Sequence, residues 1–209
     1  MRCAKGAPWH PDRDSAADAR EETENVVTYR WLVDIFHWRV FEPFTMSVTQ
    51  AEFRRALASF ATGITVITLD SDDEVHGMTA NAFTSVSLDP MLVLVCVDQK
   101  ATTHAHLHAK KRFGVNVLAE NHRAISEYYA RPGRTHDRAE EVGATFERTE
   151  HGTPVLCGAL AYLECRLHSA QDAGDHTIFI AEVEDVVVRD GDPLLYFGSK
   201  YRKIGSPLN

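Results

Sequence analysis

The sequence predicts a mainly β fold with flanking helices, an antiparallel barrel, and three observations lead there. Apolar and β-branched stretches recur at short intervals, over residues 64–69, 75–84, 91–97, 113–118, 159–167 and 177–188. Short reversals rich in Asp and Gly join several of them, at Asp70-Ser71-Asp72-Asp73, Asp89-Pro90, Gln171-Asp172-Ala173-Gly174-Asp175 and Arg189-Asp190-Gly191-Asp192. Few long helical patterns lie between the strands, which argues against a doubly wound parallel sheet.

Residues 1–25 are polar, mixed in charge and without period, a composition that predicts disorder. Residues 26–44 add Tyr29, Trp31, Phe36, Trp38 and Phe41. Arg30, Asp34, Arg39 and Glu42 interrupt them too often for a membrane span, and no uninterrupted apolar run follows the first basic residues as a secretory signal requires. Two readings stand for residues 1–45. The favoured one is an extension upstream of a physiological start at Met46; the other is an arm packing its aromatics on a partner subunit. The expected division is therefore 1–45 as extension and 46–209 as the functional domain.

From Met46 onward each element has a local cause. Thr49-Gln50-Ala51-Glu52 has the form of a capping box, and Phe53, Ala56, Leu57 and Phe60 recur at three and four residues. A short amphipathic helix therefore begins here and ends near Gly63. Residues 64–69 form a strand, and 75–84 return as the second strand of a hairpin. The uninterrupted apolar run of 91–97 reads as a fully buried strand. Helix-compatible spacing over 101–110 and 119–130 flanks the 113–118 strand, and 131–144 is a charged loop. Along 159–167, Ala159, Ala161, Leu163, Cys165 and Leu167 share one parity while Tyr162, Glu164 and Arg166 share the other. That alternation predicts a half-buried strand, followed by a turn and a long strand over 177–188.

The 209 residues suit one domain with a sizeable core, and a formal net charge of −8 gives no electrostatic reason to expect nucleic acid or an anionic membrane as partner. Cys3, Cys96, Cys157 and Cys165 form no C-x-x-C pair, and the last three sit in apolar, strand-like contexts. Buried thiols in a reducing, cytoplasmic compartment are the expectation. Neither G-x-G-x-x-G nor G-x-x-x-x-G-K-[ST] is present, so no Rossmann dinucleotide site or nucleotide-hydrolysing loop is supported.

Residues 77–90, Gly-Met-Thr-Ala-Asn-Ala-Phe-Thr-Ser-Val-Ser-Leu-Asp-Pro, interleave small side chains, hydroxyls and one amide within an extended pattern. Gly77, Ala80 and Ala82 leave room for a planar ring close to the backbone, and Thr79, Asn81, Ser85 and Ser87 offer hydrogen bonds. On pattern alone, an ordinary strand and turn remains an equal reading.

This segment, followed by the buried strand and Cys96-Val97-Asp98, resembles the signature of the flavin-reductase-like family, the small NAD(P)H:flavin oxidoreductases that act as reductase components of two-component monooxygenases. Further matches follow in the family's order: Phe53-Arg54 to Phe60-Ala61-Thr62-Gly63, Phe113-Gly114-Val115-Asn116-Val117-Leu118, the Gly158 to Cys165 stretch, Gly174-Asp175-His176-Thr177-Ile178-Phe179 and Pro193-Leu194-Leu195-Tyr196. The similarity spans about residues 46–204. It implies an FMN-binding split β-barrel that is homodimeric, with FMN or FAD as acceptor, NADH or NADPH as donor, and a separate oxygenase served by diffusing reduced flavin.

The resemblance also assigns residues. Thr79, Ala80, Asn81 and Ala82 would border the isoalloxazine ring or ribityl chain, with Ser85, Val86 and Ser87 close by. Cys96, Val97 and Asp98 would end the next strand at the site, and Lys100, Thr102 and Thr103 would hold the flavin phosphate. Phe113 and Asn116 would complete the pocket, and His176 would orient the nicotinamide donor. One departure stands out: the family commonly carries Ser where this chain has Ala101, so Thr102 replaces a lost hydroxyl or binding is weaker. No metal is implied.

Two groups outside this scheme have open readings. His104 and His108 would share a helix face as a metal pair does, or stand as solvated histidines. Arg131, Arg134 and Arg138 would steer dinucleotide phosphates or form a solvated loop. Two other activities fit the same residues less well: a flavin store, sensor or electron carrier without turnover, and an oxidase of pyridoxine phosphate, which wants a basic cage where Lys100 is the one lysine near in sequence.

Overall fold

Helix α1, Gln50–Ala58, starts where the capping box predicts: Glu52 N–H donates to Thr49 Oγ1 at 3.2 Å, and the Glu52 carboxylate accepts from Thr49 N–H at 2.9 Å. Among the described residues its amphipathic face finds no cover. Phe53, Leu57 and Phe60 stay more than half exposed. The computed structural model describes residues 48–71, 74–133 and 138–207. The N-terminal extension with Cys3, Met46, Asp72, Asp73 and Arg134 lie outside the described residues.

Twelve strands follow in the described chain: β1 Thr62–Gly63, β2 Thr65–Ser71, β3 Glu74–Ala80, β4 Phe83–Leu88, β5 Met91–Asp98, β6 Arg112–Val117, β7 Phe146–Arg148, β8 Pro154–Leu156, β9 Ala161–Ala173, β10 His176–Val188, β11 Leu195–Phe197 and β12 Lys200–Arg202. Helix α2, Thr102–Lys110, lies between β5 and β6, and α3, Arg123–Tyr129, follows a 3₁₀ turn at Glu120–His122. The predicted single helix over 119–130 is therefore a 3₁₀ turn joined to a shorter α-helix.

Seven strands form one antiparallel sheet in the order β3-β2-β6-β9-β10-β5-β4. The strand expected over 75–84 is thus two strands. β3 pairs with β2 from Ala80 to Glu74, whereas β4 pairs with β5 at the opposite edge. Only Asn81 and Ala82 join them, so the two edges of the sheet meet at that corner and the sheet must roll, although no ladder links β3 to β4. Ile67, Leu69, Val93, Val95, Phe113, Val115 and Phe179 fill the concave side, and Leu107 of α2 packs among them.

A second core lies on the outer face. Val66, Leu118, Ile125, Tyr129 and Leu156 pack there beneath α3 and the β7–β8 hairpin. This cover corrects the half-buried reading of β9: Tyr162 and Glu164, assigned outward by alternation, are buried at 1% and 2% exposure. The Gln171–Asp175 turn also shrinks to Gly174-Asp175, because β9 and β10 pair out to Ala173 and His176.

Gly77 lies where β3 passes under α3. A Cβ there would sit 2.5 Å from Cε1 and 2.6 Å from Cδ1 of the buried Tyr129 ring. Gly77→Ala is expected to destabilise the fold by about 2 kcal/mol, the usual size of overpacking, read as a lower urea midpoint at unchanged m-value.

Candidate functional site

Edge strand β3 forms one wall of a cleft of about 470 Å³, within the roughly 300–1,000 Å³ of small-molecule sites. His76, Met78 and Thr79 come from β3, Lys100, Ala101 and Thr102 from the turn into α2, and Tyr129, Ala130, Pro132 and Gly133 from the end of α3 and beyond. Thr79, Lys100 and Thr102, separated by up to 23 positions in sequence, are thus brought to one opening. Thr79 Oγ1 donates to Ser126 O at 2.8 Å, which leaves its lone pairs to accept.

The turn between β5 and α2 is held by Asp98. Its carboxylate accepts from Lys100 N–H at 2.8 Å and its carbonyl from Ala101 N–H at 2.9 Å. Ala101 is the N-cap of α2 and supplies no side-chain cap. The departure from the family's Ser therefore removes an acceptor for the helix's opening N–H groups, while Thr102 keeps a hydroxyl at the cleft. Ala101→Ser is expected to raise stability by about 1 kcal/mol, measured as a higher Tm.

The remaining residues expected at the site divide by exposure. Asn81 and Ala82 are exposed in the β3–β4 connection, with Asn81 Nδ2 donating to Thr62 Oγ1 at 3.4 Å. Ser85 and Val86 are exposed on β4, where the ladder to β5 shifts between Ser85 and Ser87, and Ser87 Oγ accepts from Asp89 N–H at 3.2 Å. Cys96 is half-buried, and burial pushes its thiol above the usual range. Ala80 and Val97 pack into the concave core.

Two residues expected to complete the pocket do not present their side chains to it. Phe113 is buried in the concave core. Asn116 is fully buried on the outer face, with Nδ2 donating to Val66 O and Thr68 Oγ1, each at 3.0 Å, and Oδ1 accepting from Leu156 N–H at 2.8 Å. Both N–H donors and one lone pair of that amide are engaged within the fold. Thr103 is likewise buried and joined to His76 Nε2 at 2.8 Å. His76 and Tyr129 carry no sequence signal of their own; only the approach of β3, α2 and α3 puts them at the cleft.

His176 opens β10 at the hairpin tip, in register with Asp98 at the end of β5, so it stands beside the turn that carries Lys100. Its Nδ1 lies 2.8 Å from Asp175 Oδ1. The hydrogen bond from His176, then its charge and that of Lys100 among lesser causes, holds the Asp175 carboxyl below the usual range. Helix histidines are less solvated than expected: His104 Nε2 lies 2.9 Å from Thr177 Oγ1, which donates to Asp172 Oδ1 at 2.6 Å, and the His104 and His108 rings meet edge-on at 4.7 Å. Among the described residues no three His, Cys, Asp or Glu side chains gather as a metal site would need. No helix among them is long and apolar enough to cross a membrane.

An antiparallel sheet with a cleft of hydroxyls, one lysine and a helix start has the groups that suit a small anionic ligand. The model of the flavin reductase like domain matches residues 57–205, and the chain belongs to that family. It is 38% identical over 160 residues to the NADH-dependent flavin reductase of Rhodococcus sp, covering 75% of this chain and 88% of that protein. It is 36% identical over 164 residues to the reductase component of the 4-nitrophenol 4-monooxygenase/4-nitrocatechol 2-monooxygenase of Rhodococcus opacus, covering 77% and 86%. Among solved structures, the NADH:FAD oxidoreductase SgcE6 of Streptomyces globisporus C-1027 in complex with NAD and FAD fragments superposes with a TM-score of 0.70 at 35% identity, covering 76% of this chain and 94% of that one.

Proposed function

We propose that the protein is an NADH-dependent flavin reductase that reduces FMN or FAD and passes the reduced flavin to a separate monooxygenase. The observation that carries this reading is the convergence of Thr79, Lys100 and Thr102 on one cleft in a chain of this family. The cleft suits the phosphate end of a flavin, with a cation and a hydroxyl at the helix start for the anion and Thr79 beside them, and the small residues and hydroxyls along 81–87 continue from Thr79 outside the cleft, where the ring and ribityl chain would lie. When bound, the flavin accepts a hydride from the nicotinamide. The protein's part is to hold and orient. Lys100 and Thr102 take the phosphate, Thr79, Asn81, Ala82, Ser85, Val86 and Ser87 border the ring system, Cys96 and Asp98 shape the strand end, and His176 orients the donor.

The reading extends to a split barrel closed as a homodimer. Its support is the rolled sheet whose edges meet at Asn81 and Ala82, together with exposed Phe53, Leu57, Phe60, Leu88 and Met91, which a second copy would cover. The domain of this reading is residues 46–209, within which the family match at 57–205 falls. A chain beginning at Met46 is expected to dimerise and to reduce flavin at the full-length rate. Loss of the dimer in sedimentation, or of flavin affinity, would show that residues 1–45 belong to the working protein.

Steady-state NADH oxidation against added FMN, FAD and riboflavin tests the function. A reductase of diffusible flavin gives a rate that saturates with added flavin. A store or sensor gives at most one reduction per bound flavin, and an oxidase of pyridoxine phosphate turns over that substrate instead.

A further inference from the structure

His76 belongs to neither the ring-bordering segment nor the phosphate turn, yet it stands on the strand that leads into the first and bonds the helix that follows the second. It lines the cleft from β3, and its Nε2 lies 2.8 Å from the hydroxyl of Thr103, the second residue of α2. Thr103 is fully buried, so this contact joins the edge strand to the first turn of the helix with one of its two ends out of water. The His106 ring, on the next turn of α2, sits 4.7 Å from the His76 ring at a 39° tilt and restrains its orientation. Because Ala101 offers no side-chain cap, the turn is held by Asp98 and by Gln99, whose N–H donates to Asp175 O at 3.1 Å, and His76 ties the first turn of α2 from the other side.

We infer that His76 is a positioning residue that confers selectivity for flavins carrying a 5′-phosphate over riboflavin. The inference rests on the proposed flavin site and names what that site discriminates. A phosphate gains most from donors held in place before it arrives, whereas riboflavin makes no use of the phosphate turn. Loosening the strut between β3 and α2 therefore weakens one ligand and spares the other. A purely structural histidine would affect both alike.

Calorimetric titration of the full chain with FMN and with riboflavin reads the ratio directly. His76→Ala is expected to weaken FMN about tenfold, the worth of one hydrogen bond to a charged ligand network, with riboflavin changed less than about twofold. His76→Gln, which keeps a polar group within reach of Thr103, is expected to recover most of the loss. Thr103→Val, which removes the partner hydroxyl at equal volume, should reproduce the His76→Ala ratio and keeps the test available if that variant fails to fold. Equal losses for both flavins, or an unchanged ratio in Thr103→Val, would overturn the role of His76 while leaving the flavin site intact. Failure of the unaltered protein to bind any flavin would instead overturn the site, and the inference with it.

Discussion

Replacing Glu164 by Leu is expected to lower the unfolding free energy by about 3 kcal/mol, one of the largest effects available to a single change in this chain. The carboxylate is buried on β9 and is the common acceptor for the β7–β8 hairpin: Thr153 Oγ1 donates at 2.6 Å and Thr149 Oγ1 at 3.0 Å, with His151 Nδ1 at 3.4 Å. Arg112 Nη1 approaches at 3.4 Å from β6. Leucine matches the bulk but leaves the buried Thr153 hydroxyl without this acceptor, and the hairpin that covers the outer core loses its clamp. Urea unfolding gives the number.

The same group sets a pH dependence. Burial pushes the Glu164 carboxyl up, but hydrogen bonds from Thr153, Thr149 and His151 outweigh it and hold the group below the ordinary 4.5. A carboxyl whose pKa is lower folded than unfolded binds fewer protons in the native state, so it stabilises above the unfolded value and loses that contribution as pH falls through the folded one. The protein should therefore lose stability on acidification below about 4.5, and Glu164→Gln should flatten that part of the curve while lowering stability at neutral pH. A Gln variant with an unchanged acid limb would remove Glu164 from the account.

His176→Ala is expected to slow reduction of bound flavin by NADH roughly ten- to a hundredfold, with flavin affinity almost intact. Its imidazole is half-exposed at the hairpin tip, anchored through Nδ1 to Asp175 and registered against Asp98. With Nδ1 facing a carboxylate, Nδ1 carries the proton and Nε2 is the nitrogen left for a ligand. Hydride transfer needs no acid at the nicotinamide, so the role is orientation of the donor, worth about 1–3 kcal/mol in the transition state. Stopped-flow reduction at saturating flavin measures it. Asp175→Asn should give a smaller loss in the same direction, because the amide can still hold the ring but no longer favours the Nδ1–H form. A normal rate in His176→Ala would leave the residue a structural part only.

Much of this was legible from residues alone because the deciding interactions are local. The capping box at Thr49 and Glu52 spans one turn, the β9–β10 hairpin closes on Gly174-Asp175, and α2 follows from spacing within ten residues. Lys100 and Thr102, assigned to the flavin phosphate by the resemblance, stand together because the turn into α2 is itself local; that they share a cleft with Thr79 is a matter of tertiary structure. Phe113 and Asn116 misled because a motif gives order along the chain and not direction from the sheet. The face each one occupies depends on register with β2 and β9 and on what covers that face.

By itself the sequence determined the mainly β class, the family, the start of α1 and the long strand that follows His176, all through patterns shorter than about twenty residues, whereas α1 ends at Ala58 and not near Gly63 because Thr62 and Gly63 pair with β11. The tertiary structure decided that 75–84 is two strands on opposite edges, because the break at Asn81 and Ala82 has meaning only once β2 and β5 stand at different places in the sheet. It also decided that Glu164 is an interior clamp and that His76 reaches Thr103. Both depend on pairs of elements distant in sequence, and side-chain alternation carries no information about what lies across from it.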